Sequence, residues 1–149
     1  MPNARNFFTK EQQEDISQAI MNAELDTSGE IRVHIENTCT GDALDRALAI
    51  FAKLEMEKTE SRNGVLLYLA VKNRKFAVIG DTAIHEAVTE SFWDSIRNKM
   101  LNRFRENQFT EGMVEAITET GIQLKKYFPY LKNDKNELSD EISFNDHQI

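Results

Sequence analysis

The chain has 149 residues, with 18 Lys and Arg against 25 Asp and Glu, a formal net charge of −7. Apolar residues make up 40% of it. That is enough for one core, since a chain of about 150 residues buries roughly 70% of the surface it exposes when unfolded. The acidic balance argues against nucleic acid and anionic lipid as partners. The single cysteine, Cys39, excludes a disulfide framework or a multi-thiolate zinc site. No run of about 18 apolar residues marks a membrane span.

The polar start, Met1 to Asn6, carries no secretory signal, so the expected location is cytoplasmic. Thr9 and Gln12 have capping-box spacing, and Ile16, Ala19, Ile20 and Ala23 follow at helical steps. From Glu30 to Glu36, Ile31, Val33 and Ile35 alternate with Glu30, Arg32, His34 and Glu36, the period of a strand with one apolar face. Asp42 or Thr40 can cap a second helix carrying Leu44, Ala47, Leu48, Phe51 and Leu54. Val65 to Val71 is an unbroken apolar run, as in a strand covered on both faces. Lys72 to Lys75 form a turn, and Phe76 to Ile79 return as the second strand of a hairpin. The next helical stretch runs from Ile84 to Phe104, with a break near Thr89. A last helix runs from Thr110 to Phe128, with Pro129 just past its end.

A helix between the first two strands favours a parallel crossover. A strand apolar on both alternating sets needs helices on both sides. The expected fold is α/β: a three-layer αβα sandwich with a central mixed, mostly parallel sheet of about four strands. Residues 1–131 are expected to form this domain and residues 132–149 an acidic tail. In that tail Asp134, Glu137, Asp140, Glu141 and Asp146 outweigh Lys132 and Lys135. A solvated tail is the simpler reading, but Leu138, Ile142 and Phe144 are what a segment docked on the domain would use. Asp134 or Glu137 could then add metal ligands.

Several segments carry a resemblance when taken in order: Thr27-Ser28-Gly29-Glu30-Ile31-Arg32-Val33, Asn63-Gly64-Val65-Leu66-Leu67-Tyr68, Ile79-Gly80-Asp81 with Ile84, Phe92-Trp93-Asp94, and Phe109-Thr110-Glu111-Gly112. From about Phe8 to Phe128 the chain resembles the TPM domain family, named for a thylakoid lumen protein, a photosystem II repair factor and a modulator of acetylcholine receptors. It looks like a stand-alone bacterial member. The resemblance implies an αβα fold, acid phosphatase activity as in a plant member, and bound divalent metal, often calcium. The signal peptide, membrane anchor or Gly-rich tail of many members is not seen. The Asp-Asp-Ala-Gly type stretch before the first helix is replaced by Arg5-Asn6-Phe7-Phe8. If that acidic pair binds metal or phosphate elsewhere, this chain uses other ligands or lacks the activity.

Familiar catalytic motifs are missing. His85-Glu86-Ala87-Val88-Thr89 opens like a zinc helix, but Thr89 stands where the second His belongs. Cys39 reads as a loop thiol with nothing nearby to activate it. The topology gives a stronger signal. Antiparallel return of the third strand places Gly80-Asp81 beside the strand starts at Glu30 and Asn63-Gly64. Glu30, Asp81, His85 and Glu86 then gather at one sheet edge, with Asp94 a turn into the next helix. Clustered carboxylates at neutral pH call for a cation, and hard oxygen ligands suit calcium ahead of magnesium. The structural alternative stays open: Asp81 as a helix cap, Glu30 as a strand-edge charge paired with Arg32 or Arg62, Asp94 as a surface acid. Arg32 and His34 are expected in a buried polar network with Glu36 or Asp45, and Phe92, Trp93, Phe104, Phe109 and Phe128 in the core.

Three functions are consistent with these residues: a metal-responsive binding module acting on an unidentified protein partner, a metal-dependent phosphatase of phosphomonoesters, and a scaffold without ligand. No nucleophile with its base is legible, and no Arg or Lys cluster marks a phosphate cradle. Binding therefore ranks above catalysis.

Overall fold

The first helix, α1 (Lys10–Glu24), starts on the expected capping box: the Thr9 hydroxyl accepts from the Gln12 amide and the Gln12 side chain accepts from the Thr9 amide. Two orphan donors are thereby satisfied at once. The computed structural model describes residues 3–130 and 138–145. Along these, α1 is followed by β1 (Glu30–Glu36), α2 (Ala43–Lys53), a short 3₁₀ turn at Met56–Lys58, β2 (Gly64–Ala70), β3 (Lys75–Gly80), α3 (Thr82–Ala87), α4 (Glu90–Phe104), α5 (Phe109–Tyr127) and β4 (Ser143–Asn145).

The sheet order is β3-β2-β1-β4. β1 runs parallel to both β2 and β4, and β3 is antiparallel to β2. Every residue of β2 is buried, as its two-sided apolarity requires. One face of the sheet presents Ile31, Val33, Ile35, Val65, Leu67 and Leu69 to a core shared with α1, α4 and α5, where Ile16, Ile20, Ile96, Met113 and Ile117 lie. The other face presents Leu66, Tyr68 and Ala70 to Ala47, Ile50 and Phe51 of α2 and to Met56. This is a three-layer αβα sandwich. Burying a Leu or Ile side chain contributes about 1.5–3 kcal/mol, so the doubly covered β2 anchors the fold.

The helical stretch after β3 is indeed two helices, parted at Val88 and Thr89. Phe92 and Trp93 are core residues, 2% and 6% exposed. β4 is an element that hydrophobic periodicity does not reveal. It docks beside β1, and Leu138 before it is buried against Met56 and Gly64. The segment from Leu138 to Asn145 is thus packed on the domain. Asp134, Glu137 and Asp146 lie outside the described residues.

Candidate functional site

The expected edge exists as a line of backbone pairings. Glu30 pairs with Gly64, Val65 with Gly80, and the Asp81 amide donates to the Gly64 carbonyl at 3.0 Å. Glu30 and Asp81 therefore share one end of the sheet but sit two strands apart, about 10 Å at the usual strand spacing.

Asp81 is buried, and both its oxygens are engaged. Arg62 grips them from Nε at 2.7 Å and Nη2 at 2.8 Å, and the Thr82 amide donates to Oδ1 at 2.7 Å, capping α3. Arg62 thus meets Asp81, where the sequence suggested Glu30 as its partner. His85 and Glu86 are exposed on α3, and the His85 ring lies 5.3 Å from that of Trp93. Asp94 is exposed and bonds Arg97 one turn on, at 2.7 Å, alongside Glu90. Among the described residues, no three His, Cys, Asp or Glu side chains have the arrangement of a metal centre.

The carboxyls that the fold does bring together are Glu24 and Asp140, with Glu30 close by. Glu24 is the last residue of α1, and the turn from Leu25 to Gly29 swings it onto the edge of β1. Its Oε2 accepts from the Ile31 amide at 2.8 Å, standing in for a strand partner because β4 pairs only with His34 to Glu36. Burial, and a hydrogen bond with the Asp140 carboxyl, push the Glu24 carboxyl up to about 9, while the Ile31 amide pulls the other way and the nearby Glu30 charge adds to the rise. Glu30 is 4% exposed, and its Oε1 accepts from the Leu138 amide at 2.6 Å. Asn63 lies beside it, 1% exposed, its carbonyl taking the Glu30 amide at 3.3 Å. Its side-chain Oδ1 is buried with no hydrogen-bond partner among the described residues.

Neither Glu24 nor its contact with Asp140 was read from the sequence. One signal was present. A carboxylate in the last turn of a helix faces the negative end of the helix dipole and is unfavourable there, so a Glu at that position has another task.

The family model described as the TPM domain matches residues 3–123 of this chain. The chain belongs to the TPM domain family. Among solved structures, the BA42 protein of the psychrophilic bacterium Bizionia argentinensis is 43% identical, with a TM-score of 0.89 over 93% of this chain and 96% of that one. The N-terminal domain of the cg2496 protein of Corynebacterium glutamicum shares the fold at 14% identity, with a TM-score of 0.65 over 80% of this chain and 75% of that one. The N-terminal domain of a P. gingivalis protein shares it at 17% identity, with a TM-score of 0.66 over 81% and 78%. None of the curated proteins matches the chain.

At the opposite end of β1, this TPM domain holds a second polar cluster. Glu36 is fully buried and accepts from Arg46 on α2 through both Nε and Nη2, from the Tyr68 hydroxyl at 2.5 Å and from Asn145 of β4 at 3.2 Å. Burial alone would raise the Glu36 carboxyl, but hydrogen bonds from His34, Arg46 and Tyr68 outweigh it and hold the group well below the usual carboxylate range. Burial first, and the hydrogen bond to Glu36 second, push the Tyr68 phenol upward. Of the expected network, His34 and Glu36 are present, joined by Arg46 and not by its neighbour Asp45; Arg32 is not part of it, and its Nε is buried with no hydrogen-bond partner among the described residues. Ser143 Oγ lies 2.8 Å from His34 Nδ1, and His34 Nε2 lies 3.5 Å from Glu36. Ser, His and Glu thus stand in a row. Arg46 and Tyr68 donate to the same carboxylate. The cluster ties α2, β1, β2 and β4 together.

Proposed function

We propose that this TPM domain is a divalent-cation-responsive binding module, calcium being favoured over magnesium, and that the cation sits between Glu24 and Asp140. The observation that carries this reading is the approach of the two carboxyls, close enough to share a proton. Two carboxylates in contact cannot both stay ionised without an added positive charge. A hard divalent ion can replace the shared proton and complete its shell with water. The Glu30 charge and the unpartnered Asn63 Oδ1 at the same edge support the reading. Calcium tolerates irregular sets of 6 to 8 oxygens, whereas magnesium demands a near-ideal octahedron, and an edge built from separate segments suits the former.

Of the five ligands expected from the sequence, Glu30 lies near this seat as a neighbouring charge. Asp81 and Asp94 are committed to Arg62 and Arg97, and His85 and Glu86 face solvent on α3. A cation bridging Glu24 and Asp140 would clamp the segment leading into β4 against α1 and β1. The response to metal would then be the fastening of that segment, on a surface a protein partner can sense.

The test is thermal melting at pH 7 in millimolar calcium and in chelator, at matched ionic strength. The reading expects a higher midpoint with calcium, since ligand at 100 times its dissociation constant adds about 2.7 kcal/mol. Equal midpoints would remove its support. Calcium-dependent turnover of p-nitrophenyl phosphate in the same samples would move the reading from binding to hydrolysis, with the ion polarising the phosphoryl oxygen.

A further inference from the structure

A cleft of about 830 Å³ runs between α1 and α5. Its depth comes from how the helices cross. Gly121 lets them touch at one point, where an added Cβ would lie 2.7 Å from the Ala23 Cβ and 2.9 Å from the Ala23 carbonyl oxygen. From that contact the cleft extends along both helices past Ala19, Val114 and Ile122, a strip of short apolar side chains, and Ile122 is 53% exposed. Along α1 the lining reaches from Gln12 to Ala23, roughly 16 Å at 1.5 Å per residue. That is the length of an extended segment of about five residues.

The walls carry four acids, Asp15, Asp26, Glu111 and Glu115, against Lys125 alone. Two of the four are answered within the chain: Glu115 by Arg103 at 2.6 Å, and Asp26 by Lys125 at 3.9 Å. Asp15 and Glu111 are exposed, face the cleft from opposite helices and form no ion pair among the described residues. A cation laid in the cleft would meet negative charge from both helices. A second copy of this chain, with its net charge of −7, would bring like charge to the same place.

We propose that the α1–α5 cleft is a docking groove for a basic, extended segment of a partner protein. Its Lys or Arg side chains lie between Asp15 and Glu111, and an aliphatic side chain rests on Ala19, Val114 and Ile122. The amides of Gln18 and Asn22 and the Thr118 hydroxyl line the same groove and are suited to bonding a peptide backbone.

The probe is a capped pentapeptide of alternating lysine and leucine, titrated into the full chain and followed by backbone amide NMR with chelator present. Saturable shifts confined to residues 12–26 and 110–125, weakening as salt is raised, are expected. The matching glutamate–leucine peptide should not bind. Asp15→Lys with Glu111→Lys, both at exposed positions, should weaken the lysine peptide at least tenfold, and Asp15→Asn with Glu111→Gln should weaken it less. The amide spectrum of each variant reports that it is folded. Equal binding of the two peptides, shifts centred elsewhere, or undiminished affinity in both double variants would overturn the proposal. So would concentration-dependent shifts at the cleft without peptide, which would make a second copy the occupant.

Discussion

The carboxyl of Glu24, the last residue of α1, lies close enough to that of Asp140, on the segment that leads into β4, to share a proton with it. One consequence concerns pH. The Glu24 carboxyl ionises near the usual 4.5 when unfolded and near 9 in the fold. A group whose proton is held more tightly in the folded state adds stability that is full below about pH 4.5 and lost as pH rises toward 9. Stability should therefore fall between pH 5 and 8 in the absence of metal, by at most about 1.4 kcal/mol per pH unit. Glu24→Gln keeps a donor for Asp140 but has no proton to lose. Denaturant melts across this range should show that slope in the parent and a flatter one in the variant.

Glu36 predicts the opposite sign. Its carboxyl is held below its ordinary value, so the stability it adds is present above the unfolded value and lost as pH falls through the folded one. Arg46→Ala would leave Glu36 buried without its main cation, a change that typically costs about 3–5 kcal/mol; because Arg46 is 31% exposed, the lower end is expected. Urea unfolding at pH 7 measures the loss, and the variant should also lose part of the acid sensitivity of the parent.

Leu67 lies in the middle of β2 and is fully buried. Leu67→Ala should cost about 2–5 kcal/mol, and a denaturation midpoint equal to the parent's would contradict a two-sided central strand.

Gly121→Ala tests the helix crossing that shapes the cleft. Ala is favoured over Gly within a helix by up to about 1 kcal/mol. The new methyl, however, would meet backbone atoms of Ala23 at 2.9 and 3.0 Å, and overpacking of this kind typically costs about 1–3 kcal/mol. Net destabilisation is expected in thermal melts, with amide shifts centred on Ala23.

Most of the fold could be read from the sequence because its elements are signed locally. The Thr9–Gln12 box, the alternation from Ile31 to Ile35 and the run from Val65 to Val71 each fix an element without reference to the rest of the chain. β4 is three residues long and half-buried, too short for a period to show. The edge of the sheet followed from topology, but which charges meet there did not. Arg62 reaches Asp81 from a backbone with φ of 52°, an uncommon left-handed conformation for a side-chain-bearing residue. Glu24 arrives at β1 only through the turn that follows α1. Such contacts depend on side chains placed by distant segments, which local spacing does not encode.

Asp81→Asn separates the two ends of the acidic edge. Asn caps a helix about as well as Asp, but it gives up the charge that Arg62 grips at two points. A lower melting temperature with unchanged calcium affinity is expected, since the proposed seat lies at Glu24 and Asp140. Loss of calcium binding in this variant, with its fold intact, would return the site to Asp81.

The most direct measurement is a calcium titration of the metal-free domain near pH 7, followed by the amide resonances of Ile31, Leu138 and Asp140. The Ile31 amide donates to Glu24, the Leu138 amide donates to Glu30, and Asp140 is the second carboxyl of the proposed seat. The account predicts saturable shifts at these three, stronger binding as pH is raised because the ion displaces a proton, and loss of the response in Glu24→Gln. Resonances that stay fixed through millimolar calcium, or shifts confined to Thr82–Ala87, would contradict it.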